Sequence, residues 1–143
     1  MAEQFCTFMI NGLYFGIEVG QVQEVMLNRT TEPVPLSPKV VEGLINLRGQ
    51  IVTAIDLRRR LNFPERAVDV LPMHVVVRTT DGSVSLLVDS IGDVIEVDDA
   101  IFEPPPESLQ GVARELILGA YKLHEKLLLV LNMEKTVDLS AAA

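Results

Sequence analysis

Tryptophan is absent from these 143 residues, cysteine occurs once, and the aromatic total is seven, five Phe and two Tyr. The lone Cys6 excludes a disulfide scaffold and suits a reducing compartment. No apolar run approaches the ~18–20 residues that a membrane-spanning helix needs; the longest are Leu116–Tyr121 and Leu127–Leu131. The N-terminal Met-Ala-Glu-Gln has no basic segment leading into an apolar stretch, so no secretion signal and a cytoplasmic location are expected. Basic charge is short as well: 12 Lys and Arg stand against 20 Asp and Glu, a net charge of −8. A nucleic-acid binder needs a basic face to displace counterions, and the chain as a whole does not supply one.

What is present is aliphatic. Hydrophobic residues make up 48% of the chain, which excludes intrinsic disorder. A chain of this length buries roughly two-thirds of its unfolded surface, so it needs neither disulfide nor metal to fold. The charge is unevenly placed. Residues 1–78 hold eight acids and eight bases, whereas residues 79–143 hold twelve acids and four bases, the whole of the excess. No Lys or Arg lies between Arg78 and Arg114, and five Arg fall between Arg48 and Arg66. A gradient of this kind is ordinarily solvated surface; its sharper reading is a module whose two halves meet different partners.

Short apolar runs separated by turn residues point to a small all-β barrel or sandwich with a few short helices. Phe5–Ile10 and Leu13–Ile17 flank Asn11-Gly12, a strong hairpin signal because a type I′ turn needs positive φ twice. Further hairpins are expected across Arg48-Gly49, across Asp81-Gly82 and across His124–Lys126. Asp56 is placed to cap a short helix over Leu57–Leu61, and Asn132 to cap another over Met133–Leu139. Val19–Val25 reads as one turn that then extends. Pro33, Pro35 and Pro38, and then Pro104–Pro106, read as extended connectors. Residues 64–72, bounded by Pro64 and Pro72, read as a joint.

Catalytic constellations are scarce. His74 and His124 sit in apolar strand contexts that favour packing or surface roles, and Cys6 reads as a small hydrophobe in a strand. No Cys-x-x-Cys or His-x-x-x-His spacing offers a metal site, and the nine Gly are too scattered for a phosphate loop. Asp98-Asp99 reads as a solvated turn. Neither a catalytic role nor a cofactor is expected. Peptide recognition fits better: Val22-Gln23-Glu24-Val25 mixes apolar and acidic side chains, and Gly43–Gly49 ends with Arg48 at a hairpin tip. A guanidinium there is either an ordinary exposed charge or a fork for a carboxylate or carbonyl of a partner.

Longer motifs sharpen this. Tyr14–Val25 (YFGIEVGQVQEV), Gly43–Val52 (GLINLRGQIV) with Ile55–Arg58 (IDLR), Val88–Val94 (VDSIGDV) and Val130–Lys135 (VLNMEK) resemble, in the same order, the motifs of the CheW family of bacterial chemotaxis coupling proteins. The resemblance covers about residues 5–139, with the central stretch the most specific. It implies a single CheW-like domain over 1–143, made of two intertwined five-stranded SH3-like β-barrels that enclose an apolar groove. Subdomain 1 is expected at 13–68, and subdomain 2 at 1–12 plus 69–139. It also implies a cytoplasmic adaptor recruited to membrane receptor arrays without inserting in the membrane. Its partners would be the cytoplasmic tip of a methyl-accepting chemoreceptor, the regulatory domain of a CheA-type histidine kinase, and other CheW-like domains. By motif match, Val22, Glu24, Gly43 and Arg48 would form or support the receptor surface, and Ile91 would lie near the kinase. Thr53 stands where the family commonly has Pro, and three consecutive Arg at 58–60 are unusual for it. The alternatives are a nucleic-acid-binding small barrel, another peptide-binding module and a small hydrolase. Acidity and few aromatics oppose the first, and the lack of a nucleophile–base motif opposes the last.

Overall fold

In a computed structural model, which describes residues 3–27, 30–98 and 101–139, eleven strands form two sheets. In chain order they are β1 Glu3–Ile10, β2 Leu13–Glu18, β3 Val22–Met26, β4 Val41–Leu47, β5 Gln50–Asp56, β6 Met73–Thr79, β7 Gly82–Val88, β8 Ser90–Val97, β9 Phe102–Glu103, β10 Ile117–Lys122 and β11 Leu127–Leu131. Three short helices interrupt them: α1 Leu57–Arg60, α2 Gly111–Glu115 and α3 Met133–Val137. All four expected hairpins form. At two of them positive φ occurs twice in succession, at Asn11 (53°) and Gly12 (78°) and at Arg48 (52°) and Gly49 (86°). The two expected caps also form: the Asp56 side chain accepts from the Arg58 N–H, and Asn132 from the Lys135 N–H. Val19–Gln21 is a single 3-10 turn that runs into β3.

Sheet order explains the intertwining. The five-stranded sheet runs β3-β6-β7-β5-β4, and the six-stranded sheet runs β8-β1-β2-β11-β10-β9. Each contains one parallel pair between strands distant in sequence, β5 with β7 and β2 with β11. The first strand therefore lies in one sheet with the C-terminal ones, and the two-residue β9 adds a sixth strand at the edge of that sheet. The tight Asn11-Gly12 turn keeps β2 beside β1, and the hairpin β6–β7 pairs with β3 and β5 in the five-stranded sheet.

Alternation along each strand creates three apolar clusters. On β6, Val75 and Val77 face a large core while Val76 faces a small one; on β7, Leu86 and Val88 oppose Leu87 in the same way. The six-stranded sheet repeats the pattern, with Phe8, Ile10, Phe15, Leu129 and Leu131 on the large core and Phe5, Leu128 and Val130 on a second small one. Both sheets are thus covered on both faces, which is why runs such as Val75-Val76-Val77 and Leu127–Leu131 read as continuous rather than alternating. The large core joins the sheets, and each small core fills the curl of one sheet.

Where the chain passes from one sheet to the other, charge does the fastening. Asp89, between β7 and β8, accepts from Arg58 at 2.8 and 2.7 Å, from Arg66 Nε at 2.9 Å and from the Asn11 N–H at 2.8 Å. Arg66 also reaches Asp56 at 3.4 Å, and Arg59 pairs with Glu42 and Glu65 at 3.0 Å each. Arg60 donates to the carbonyls of Thr136 at 2.9 Å and Lys135 at 2.8 Å, satisfying the end of α3. The unusual arginine run is therefore consumed by internal contacts. Burial pushes the Asp89 carboxyl pKa up, but the hydrogen bonds from Arg58, Asn11 and Arg66 and the charge of Arg58 outweigh it and hold the value at about 2.

The folded-state value lies below the ordinary 3.8, so this contribution to stability is complete above about pH 5 and is lost as pH falls toward 2. Asp89→Asn would leave Arg58 without its paired anion and Arg66 with only the more distant Asp56, and should cost about 2–4 kcal/mol at neutral pH. It should also flatten the fall in stability between pH 5 and about 2, because the titrating group is gone. Urea denaturation at several pH values reads both effects; a parallel loss in both proteins would refute the role given to Asp89.

Candidate functional site

The five-stranded sheet curls until its edge strand β3 meets the tip of the β4–β5 hairpin. There Arg48, held at positive φ in the turn, presents its fork to Glu24 of β3, with Nη1–Oε2 at 2.5 Å and Nη2–Oε1 at 3.0 Å. The turn itself is braced by the Asn46 side chain accepting from the Gly49 N–H at 3.0 Å. Arg48 remains 73% exposed although it is paired, and Glu24 is 20% exposed. The hydrogen bonds and charge of Glu24 raise the guanidinium pKa further above its ordinary value, so the fork is a permanent cation. Two of the expected residues, 24 positions apart in sequence, are thus brought into direct contact on the surface.

Gly43 supports this face from within. Glu32 and Leu44 exchange backbone hydrogen bonds of 2.9 Å each, which lays the segment around Glu32 along the outer edge of β4. A Cβ at position 43 would collide with the Glu32 carbonyl oxygen, so this close approach requires glycine. Val22 lies at the other end of β3, half-buried against the large core and opposite Val77. It steadies the strand and contributes little open surface. Gln23, between the two, accepts from Ser83 Oγ at 2.6 Å.

Ile91 lies apart from these residues, on β8 at the edge of the six-stranded sheet. Its side chain is half-buried against the large core and its N–H donates to Met73 Sδ at 3.3 Å. The exposed positions of that strand are Gly92, Asp93, Val94 and Glu96. Val94, missed in the sequence reading, is the open apolar side chain here; its alternation out of phase with Ile95 and Val97 was the available signal. Beside β3, a cleft of about 970 Å³ opens between β5, β7 and α3. Ile55, Val84, Met133 and Val137 line it together with Arg78, Asp81 and Glu134, so its lining mixes apolar and charged side chains. Thr53 also lines this cleft, and its place in the middle of β5 suits a strand better than proline would.

The residues weighed for catalysis do not converge. His74 is fully buried beside Ser85 Oγ at 2.8 Å, His124 is exposed at a turn, and Cys6 is half-buried in β1 with burial raising its thiol pKa. Asp98 is exposed, and Asp99 lies outside the described residues. Among the described residues no group of three or more His, Cys, Asp and Glu is placed to hold a metal ion, and no helix is long and apolar enough to cross a membrane.

Residues 4–141 match the CheW-like domain family. The chain is similar to a chemotaxis protein CheW of Bacillus subtilis, 32% identical over 136 residues, covering 95% of this chain and 87% of the relative. A chemotaxis protein CheW of Treponema pallidum is 29% identical, covering 92% and 80% of the two chains. Among solved structures, the scaffolding protein TtCheW of Thermoanaerobacter tengcongensis superposes with a TM-score of 0.86 at 25% identity, covering 98% of this chain and 95% of that one.

Gly43→Ala must push the Glu32 backbone away from β4, at a cost of roughly 1–3 kcal/mol. Amide exchange separates this local event from general loosening. Protection should fall at Glu32 and Leu44 while Val76 and Leu87, in the small core, keep theirs; uniform loss would contradict it.

Proposed function

The chain belongs to the CheW family, and on that premise we propose that it is a non-enzymatic adaptor coupling the cytoplasmic tip of a methyl-accepting chemoreceptor to the regulatory domain of a CheA-type histidine kinase. Family membership carries a role in a chemotaxis scaffold, and the proposed partners within it are that receptor tip, that kinase domain and other CheW-like domains. The observation that supports it is the Arg48–Glu24 fork. It is an exposed, preorganised cation on a curled sheet whose neighbouring edge Gly43 allows to be covered. Such a surface recognises a partner by shape and hydrogen bonding and transforms nothing. On this reading Val22 and Gly43 hold the receptor face in place while Arg48 and Glu24 touch the partner. Ile91 positions edge strand β8, whose open side chains would meet the kinase. The protein would then be cytoplasmic and drawn to the membrane only through the receptor.

Binding to a soluble receptor-tip fragment, measured by calorimetry, tests the receptor face. Arg48→Glu and Glu24→Arg should each weaken binding by about tenfold or more, the scale of one charge-assisted contact. Thermal melting should change little, since the pair is on the surface. The exchanged variant Glu24→Arg/Arg48→Glu rebuilds the ion pair with reversed polarity. If Arg48 touches the partner, that variant should remain weak; full recovery would make the pair a purely internal brace and remove the proposed receptor contact.

A further inference from the structure

Strand β3 changes faces partway along its length. In a regular strand, residues an even number of positions apart share a face. Val22 nevertheless packs on the large core, whereas Met26, four positions on, packs on the small core of the five-stranded sheet. Pairing with β6 shows where the phase shifts. Val22 lies opposite Val77 and Glu24 opposite Val76, so two steps along β3 match one along β6, and Gln23 is the extra residue of a β-bulge. Without the bulge, Glu24 would share the face of Val22 and turn toward the large core. With it, Glu24 shares the face of Val76, where Arg48 meets it at 2.5 and 3.0 Å.

Two side chains of the β6–β7 hairpin fasten this bulge. Arg78 and Ser83 lie opposite each other on the hairpin. Arg78 Nη1 donates to the carbonyls of Gly20 and Val22 at 3.2 and 2.9 Å, tying down the chain just ahead of the bulge. Ser83 Oγ donates to Gln23 Oε1 at 2.6 Å, with both residues half-buried, and so holds the bulged residue itself. Beyond it the ladder with β6 runs on regularly, through Glu24–Val76, Val25–Val75 and Met26–His74. We propose that Ser83 is a positioning residue for the Arg48–Glu24 fork: by keeping Gln23 in the bulge, it aims Glu24 at Arg48. The need for such a tie follows from the place of β3 at the edge of its sheet. A strand paired along one side can slide, and a slip of one residue exchanges its two faces. The consequence for the receptor tip rests on the receptor reading above; the placement of Glu24 does not.

Calorimetry with the receptor-tip fragment, together with a side-chain NOE between Glu24 and Arg48, tests it. Ser83→Ala should weaken tip binding by about three- to tenfold, the scale of one hydrogen bond, and should abolish the NOE. Ser83→Thr keeps a hydroxyl and suits a strand, so it should restore both. On an Arg48→Ala background Ser83→Ala should cost nothing further, because the carboxylate it aims has lost its target. A serine that merely stabilised the sheet would weaken binding equally on both backgrounds, and that result overturns the proposal. An NOE that persists in Ser83→Ala overturns it too, as does tip binding that Arg48→Ala weakens and Ser83→Ala leaves unchanged. If Arg48→Ala itself binds the tip like the wild type, the receptor contact falls. The placement of Glu24 is then upheld by loss of the NOE in Ser83→Ala and overturned by its persistence.

Discussion

A sheet that must exchange strands with another needs a fixed crossing point, and here that point is a single carboxylate. Asp89 lies where the chain leaves the last strand of the five-stranded sheet, β7, for the first pairing with β1 in the other. Its oxygens are shared among the β1–β2 turn, α1 and the segment carrying Arg66. Hydrophobic burial would hold the two sheets against each other at many small offsets, since it is non-directional. Bidentate hydrogen bonds do not tolerate such offsets, because the planar fork and the carboxylate must align. The large core between the sheets therefore supplies cohesion, and the Asp89 cluster supplies register.

That division of labour explains what the residues disclosed in advance. Turns were legible because their requirements are local: Asn11-Gly12 and Arg48-Gly49 meet the positive-φ demand of a type I′ turn within two positions. The caps at Asp56 and Asn132 were legible for the same reason. The parallel pairs β5–β7 and β2–β11 were not, since nothing near Val84 or Leu129 specifies a partner so far away in the chain. Helix α2 escaped notice too. It buries only Ala113, begins without a side-chain cap at Gln110, and so shows neither periodicity nor an N-terminal signal.

The candidate site was legible one residue at a time but not as an arrangement. Family resemblance pointed to Glu24, Gly43 and Arg48, yet only the curl of the sheet makes the first and last a bidentate pair and gives Gly43 a steric reason to be glycine. Arg58, Arg59 and Arg60 show the opposite case. A basic run in sequence suggests a partner-facing patch, whereas each of these side chains is committed to a carboxylate or a carbonyl of the fold itself. Charge counted along a chain says where a field could arise; only pairing decides whether any of it reaches solvent.

The same reasoning separates the two ways this protein displays arginine. Arg66, 8% exposed and shared between Asp56 and Asp89, cannot be withdrawn without taking a buried cation from both carboxylates at once, so it is structural. Arg48, 73% exposed with one partner, can trade part of its hydrogen bonding to another molecule while water screens what is left behind. An adaptor needs both kinds. On the coupling role proposed above, its frame must not yield when a partner binds, because deformation would absorb the shift to be passed on, and its recognition groups must be held firmly enough to lose little entropy on contact. Internal ion pairs at the crossing between sheets meet the first need. A guanidinium pinned by Glu24 at the tip of a tight hairpin meets the second, and neither demands a reactive group.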